Sequence, residues 1–307
     1  MTRAGEGPGD AADDPSGLDG LEPVELELAG LSVAGLRSPA RSGPGTGAGV
    51  PPRLLCLHGW LDDAASFAPL AAHLPGVELV ALDLPGHGLS AHAEAGYTLF
   101  DMALAARRAM SALGWERCTV VGHSLGANVA PWLAAAAPDA VERLVLIEGL
   151  GPRTEEAEAL PGRLVRAFAD RLDGARFRPR TFPDLDAAVD HRLRNAPMER
   201  ASAHLIMARQ CEAVEGGVRW RFDPALRHAS AEYRTEAQAL AVLGAVACPT
   251  LAVLAEEGYL AGRPETPARL AALADARTVR LPGRHHLHMD DPGPVARAVL
   301  DFLDATR

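Results

Sequence analysis

The sequence predicts an α/β protein, built on a mostly parallel sheet with helices on both faces and a helical cap inserted late in the chain. Three observations carry this. Short runs that are apolar throughout alternate with segments of helical spacing, the pattern of strands buried on both faces of a parallel sheet. About a hundred residues separate the run ending near Glu148 from the one starting near Pro249, far more than a crossover connection needs. That interval has helical apolar spacing of its own, in LVRAFADRL (164–172) and LIMARQCEAV (205–214), which points to an insertion.

Taken in order, residues 1–20 are rich in Gly, Asp and Ala with almost no large apolar side chains, the composition of a disordered tail. RSGPGTGAGVPP at 41–52 reads as a loop between early strands. Strands are expected at RLLCL (53–57), VELVALD (77–83), CTVVG (118–122), RLVLIE (143–148), TLAVLA (250–255) and RTVRL (277–281). The last helix has Asp291 as N-cap, Pro292 at its first position, and Val295, Val299, Phe302 and Leu303 on one face. The core therefore spans 21–150 and 240–307, and the cap 151–239.

A chain of 307 residues is long enough for one large α/β domain with a lid. The net charge of −10 argues against nucleic acid as a partner. All 30 basic residues are Arg. The absence of Lys excludes a P-loop lysine, a kinase-type lysine and a Schiff base with pyridoxal phosphate. Cys56, Cys118, Cys211 and Cys248 stand singly, as small core residues and not as a zinc site. The N-terminus lacks the apolar stretch of a secretory signal, so a cytoplasmic location is expected. The uncharged stretch 239–255 falls short of a membrane span and is broken by Pro249.

Gly122-His123-Ser124-Leu125-Gly126 fits G-x-S-x-G, directly after a strand and directly before the helical run LGANVAPWLAAAAP. That context is a sharp strand-to-helix turn that lifts a serine to the edge of the sheet and aims the Leu125 N–H at an anion forming beside it. His58-Gly59-Trp60 ends an earlier strand and places the Trp60 N–H to complete an oxyanion hole. The side chains of His58, Asp83, His87 and His123 read as structural. A late loop, LPGRHHLHMDDP (281–292), carries three histidines ahead of the last helix. No acidic ligands on a helix and no helical His-x-x-x-His accompany them, so no metal is expected.

LCLHGW, DLPGHGLS (83–90), VGHSLG and PGRHHLHMDDP together resemble the α/β-hydrolase superfamily of the serine-hydrolase-like type, over nearly the whole chain from residue 53. The resemblance implies an eight-stranded sheet, Ser124 as nucleophile, and a histidine base seven residues before the proline of the last helix, which is His285. It also implies an acid nine residues after Pro249, where this chain has Gly258. Glu148, at the end of the strand adjacent to that of Ser124, is the preferred substitute, with Glu256 and Glu257 as the alternatives. The expected activity is hydrolysis of an ester or related acyl substrate through an acyl-enzyme, without a cofactor. The same residues would serve a C–C bond hydrolase or lyase, and the gap at 258 keeps open a weakly catalytic, ligand-binding member. The partner expected is a small molecule with an apolar acyl group, with Leu164, Phe168, Phe182 and Trp220 as possible pocket walls, and with no membrane involved. Oligomeric state has no signature in the sequence.

Overall fold

The apolar runs form strands because each places side chains in a separate core on either side of the sheet. In the computed structural model, which describes residues 18, 20–40, 50–94, 96–173, 178–231 and 233–306, the strands are β1 (Glu22–Glu27), β2 (Ser32–Ser38), β3 (Arg53–Leu57), β4 (Glu78–Leu82), β5 (Cys118–His123), β6 (Val141–Ile147), β7 (Thr181–Phe182), β8 (Cys211–Val214), β9 (Gly217–Trp220), β10 (Thr250–Ala255) and β11 (Ala276–Leu281). The expected tail and most of the 41–52 loop lie outside the described residues. Eight strands make one sheet in the order β1-β2-β4-β3-β5-β6-β10-β11. The β1–β2 and β2–β4 pairs are antiparallel and the remaining pairs parallel.

The main helices are α1 (Leu99–Ala112), α2 (Leu125–Ala136), α3 (Leu160–Leu172), α4 (Leu185–Asn195), α5 (Arg200–Gln210), α6 (Glu236–Gly244), α7 (Thr266–Ala272) and α8 (Pro292–Ala305). Side chains alternate across the sheet with the period of two that extended backbone imposes. Val120, Leu55, Leu144 and Leu254 join a core with α1 and α2. Val121, Leu54, Val145 and Val253 join a second core with Val295, Val299, Phe302 and Leu303 of α8. Asp291 stands at the N-cap of α8 as expected, but its side chain makes no capping hydrogen bond. Among the described residues no helix is long and apolar enough to cross a membrane.

Between β6 and β10 the chain forms α3, α4 and α5 and a three-stranded sheet of order β7-β9-β8. The insertion is therefore not purely helical. LIMARQCEAV is helical only as far as Gln210, and Cys211–Val214 is a strand. The cause lies just beyond it: Gly216 and Gly217 have φ of 84° and 141°, which turns the chain back as a hairpin and overrides the helical spacing. The insertion has its own core of Phe182, Val189, Ile206, Met207, Trp220 and Phe222, closed against Leu61 and Met289. Phe182 and Trp220 are thus core residues and not pocket walls.

Helix α3 is packed with its polar side inward. Arg163, Ala167 and Asp170 are buried, while Leu164, Phe168 and Leu172 are exposed, Phe168 at 69%. Arg163 makes this possible by donating to both oxygens of Glu155 and stacking 3.4 Å over the Tyr233 ring, so its charge is satisfied where it is buried. Phe168 consequently faces away from the protein.

A Cβ added at Gly217 would meet the Phe182 carbonyl oxygen at 1.9 Å. Gly217→Ala should therefore lower stability by at least about 2 kcal/mol. Urea denaturation reads the loss, and hydrogen exchange should show β8 and β9 losing protection first.

Candidate active site

Strand β5 ends at His123 and α2 starts at Leu125, so the whole turn is made by Ser124, whose φ of 49° and ψ of −105° lie outside the regions a serine normally occupies. This geometry requires bare backbone on both sides. A Cβ on Gly122 would meet the Gly126 carbonyl carbon at 2.4 Å, and one on Gly126 would meet the Leu57 carbonyl oxygen at 1.8 Å. The turn is fastened to its neighbours by Gly126 N–H donating to the His58 carbonyl at 2.9 Å and Ser124 N–H to the Ile147 carbonyl at 3.0 Å. Leu125, as the first residue of α2, has an N–H with no acceptor inside its helix.

His285 lies beside this turn. Its Nε2 is 2.9 Å from Ser124 Oγ and its Nδ1 is 3.2 Å from Glu148 Oε2. One tautomer satisfies both contacts, with Nδ1–H donating to the carboxylate and the serine hydroxyl donating to Nε2. Glu148 is fully enclosed and also accepts the Ala255 N–H on Oε1 at 2.8 Å and the Tyr259 N–H on Oε2 at 2.6 Å. Burial alone would raise its pKa, but the hydrogen bond from His285 and those two amides outweigh it and hold the carboxyl below its ordinary value.

The glycine at 258 and the glutamate at 148 are one arrangement. A Cβ at 258 would fall 2.3 Å from Glu148 Oε2 and 2.4 Å from its carboxyl carbon, so the Glu148 carboxylate occupies the volume a side chain at 258 would need. Glu148 reaches it with a left-handed backbone, φ 51°. Glu256 and Glu257 are both exposed, and the Glu257 carboxylate lies 3.9 Å from Arg284.

The loop after β3 makes a tight turn, with Asp62 N–H donating to the Gly59 carbonyl at 3.0 Å. Trp60 is exposed at its apex. Asp62 is buried and held on both oxygens: Oδ1 accepts from Arg192 and Oδ2 from His286 Nε2 at 3.2 Å. Arg192, His286 and the neighbouring His123 outweigh the effect of burial and keep this carboxyl well below its usual pKa.

A profile of the family described as "alpha/beta hydrolase fold" matches residues 52–292. "Serine hydrolase-like protein" of Danio rerio is 30% identical over 263 residues, covering 81% of each chain. The structure of the hypothetical protein PA1622 from Pseudomonas aeruginosa PAO1 is 41% identical with a TM-score of 0.84, covering 93% of this chain and all of that one. The thioesterase domain from the curacin biosynthetic pathway is 27% identical with a TM-score of 0.76, covering 91% of this chain and 99% of that one. The chain belongs to the α/β-hydrolase superfamily.

In this α/β-hydrolase His58, His87 and His123 are wired into the scaffold. His58 Nε2 accepts the Leu84 N–H at 2.9 Å, His87 Nδ1 donates to the Pro85 carbonyl at 3.1 Å, and His123 Nε2 donates to the His285 carbonyl at 2.9 Å. Asp83 accepts from the Ala64 and Leu89 amides and from Arg209. Arg192, Gln210 and the Tyr259 amide escape a reading of the sequence, because nothing local marks residues whose partners lie over a hundred positions away.

Four of these enclosed histidines are held neutral by burial. His87 is pushed down to about 3 and His123 to about 4, with His58 lowered and His288 well below its ordinary value. In the unfolded chain the same groups take up protons below about pH 6.5. The unfolded state then binds more protons, so stability falls as pH drops below about 6.5, by up to about 1.4 kcal/mol per pH unit for a histidine that stays neutral in the fold. The melting temperature should fall steeply through that window, and His288→Phe, which packs beside Phe67, should flatten the profile. An unchanged slope in that variant would show that His288 does not contribute.

Proposed function

We propose that this protein is a serine hydrolase that cleaves an ester or related acyl substrate through a covalent acyl-enzyme. The observation that carries the reading is the continuous hydrogen-bonded line from Ser124 Oγ through His285 to Glu148, with a bare helix N-terminus beside the serine. Ser124 gives its proton to His285 Nε2 as its oxygen attacks the substrate carbonyl carbon. The negative charge that develops on the carbonyl oxygen is met by the Leu125 and Trp60 amides. Glu148 fixes the Nδ1–H tautomer of His285 and stabilises the imidazolium, which then returns the proton to the leaving group. Water, activated by His285, releases the acid and restores Ser124. Each proton transfer is completed by the chain's own groups.

Exposed Trp60 and Tyr259 flank the site, and the Tyr259 ring lies 5.7 Å from that of His285. These rings favour a small substrate with an apolar acyl or alcohol group. The relatives named for serine-hydrolase and thioesterase character agree with acyl chemistry.

A fluorophosphonate probe should label the protein at Ser124 and leave Ser124→Ala unlabelled, as read by mass spectrometry of the modified peptide. Labelling of Ser124→Ala to the same extent would remove Ser124 from the mechanism. With p-nitrophenyl esters of graded chain length, His285→Ala should lose at least about a hundredfold in kcat, and His286→Ala and His288→Ala much less.

The acid can be tested by moving it. Glu148→Ala should lose about a thousandfold or more in kcat. Gly258→Asp alone should also be impaired, because its side chain collides with the Glu148 carboxylate. The double variant should recover activity relative to Glu148→Ala. Additive losses in the double variant would show that Glu148 and position 258 do not share one role.

A further inference from the structure

The loop that carries Trp60 is gripped from two sides. On the core side the His58 carbonyl accepts the Gly126 N–H at 2.9 Å, which ties the loop to the turn at Ser124. On the other side the inserted segment supplies four hydrogen bonds, and His286 of the late loop a further one to Asp62 Oδ2. The Leu61 carbonyl accepts Arg192 Nη1 at 3.2 Å and Gln210 Nε2 at 2.8 Å. Arg192 Nη2 donates to Asp62 Oδ1, and the Trp60 indole donates to the Leu226 carbonyl at 3.3 Å. Arg192 and Gln210 are both buried, so these bonds are sheltered from competition by water.

Between the two grips the backbone is strained. Leu61 has φ 58° at the third position of the Gly59–Asp62 turn, a place such turns normally give to glycine. A leucine stays in that conformation only where its surroundings over-determine it. The bonds to its carbonyl, together with the burial of its side chain in the core of the inserted segment, are the surroundings that do so.

We propose that Arg192 and Gln210 are positioning residues for transition-state stabilisation: by holding the Leu61 carbonyl they hold the Gly59–Asp62 turn, and with it the Trp60 N–H. The inference rests on the reading of the Trp60 and Leu125 amides as oxyanion donors. Helix α5 is suited to this because it is clamped at both ends. Near its start Ser202 Oγ and the Glu199 N–H both donate to Asp290 Oδ1, at 2.7 and 3.1 Å, beside the loop of His285. At its end Arg209, next to Gln210, donates to Asp83 at 2.8 Å. The second half of the cap is therefore part of the frame that shapes the site, and not a cover that only admits substrate.

The two roles differ in kinetics. An oxyanion forms in acylation and again in deacylation, so a misplaced donor slows both steps by a similar factor and leaves ground-state binding nearly unchanged. A gate affects entry, and so acylation alone. Gln210→Met removes one neutral donor and leaves the Arg192–Asp62 pair intact, which makes it the variant that folds if Arg192→Met does not. Burst kinetics with p-nitrophenyl butyrate separate the two steps. Gln210→Met should slow both about tenfold, and Arg192→Met both by up to about a hundredfold, the lower range for losing one oxyanion donor. The affinity of a trifluoromethyl ketone analogue should fall in parallel, while KM changes little. Arg200→Ala, on the same helix but exposed and paired with Asp186 and Asp190, should leave both steps unchanged. Slowing of acylation alone, or unaltered rates in a folded Gln210→Met, would overturn the proposal. A wild-type protein with neither a burst nor labelling at Ser124 would instead remove the functional reading beneath it.

Discussion

The approach of Gly126 to the Leu57 carbonyl sets the geometry on which the site depends. A methyl group at 126 would lie 1.8 Å from that oxygen, so α2 can begin here only on bare backbone. Pressing the helix start against the end of β3 brings the loop after β3 within hydrogen-bond reach of the turn, through Gly126 N–H and the His58 carbonyl. It also leaves Ser124 with the unusual backbone angles that lift its side chain clear of the sheet. Strain in one residue is thus held by close packing of three strand ends, those of β3, β5 and β6.

The inner strands β3, β4, β5, β6 and β10 were legible because strands buried on both faces are largely apolar and stand out against helical segments, whereas β1 and β2, which carry exposed polar residues, were not expected. Ser124 and Leu125 were legible because their turn is local. The acid was harder. A choice among Glu148, Glu256 and Glu257 depends on where three strand ends lie in space, and the observation that favours Glu148 is the overlap of position 258 with its carboxylate, 110 positions apart in sequence. The cap was read least well. Its helical spacing continues through Cys211, yet two glycines beyond force a hairpin, and α3 reverses the usual rule by burying Arg163 and Asp170. Arginine with a bidentate carboxylate partner can be interior, and no count of apolar residues along a helix reveals that.

The buried polar groups around Asp62 illustrate what the fold spends its interior on. Asp62 brings together Arg192 from the inserted segment, His286 from the late loop and its own turn after β3. Three distant parts of the chain are held by one carboxylate, and removing Arg192 leaves that charge enclosed without its cation. The residues around the turn at Ser124 are therefore held in place for a reason separate from apolar packing.

On the proposed roles, Glu148 supplies the acid from the end of β6, which changes what is asked of the loop after β10. That loop gives Glu148 the amides of Ala255 and Tyr259, groups that nearly every amino acid can provide. Its side chains are accordingly released from supporting the histidine. On those roles the exposed Tyr259 ring could be exchanged for another to suit a different substrate while its amide continues to hold the carboxylate, which would uncouple specificity from catalysis along this stretch. Gly258 alone is fixed, since its missing side chain is the space in which the Glu148 carboxylate sits.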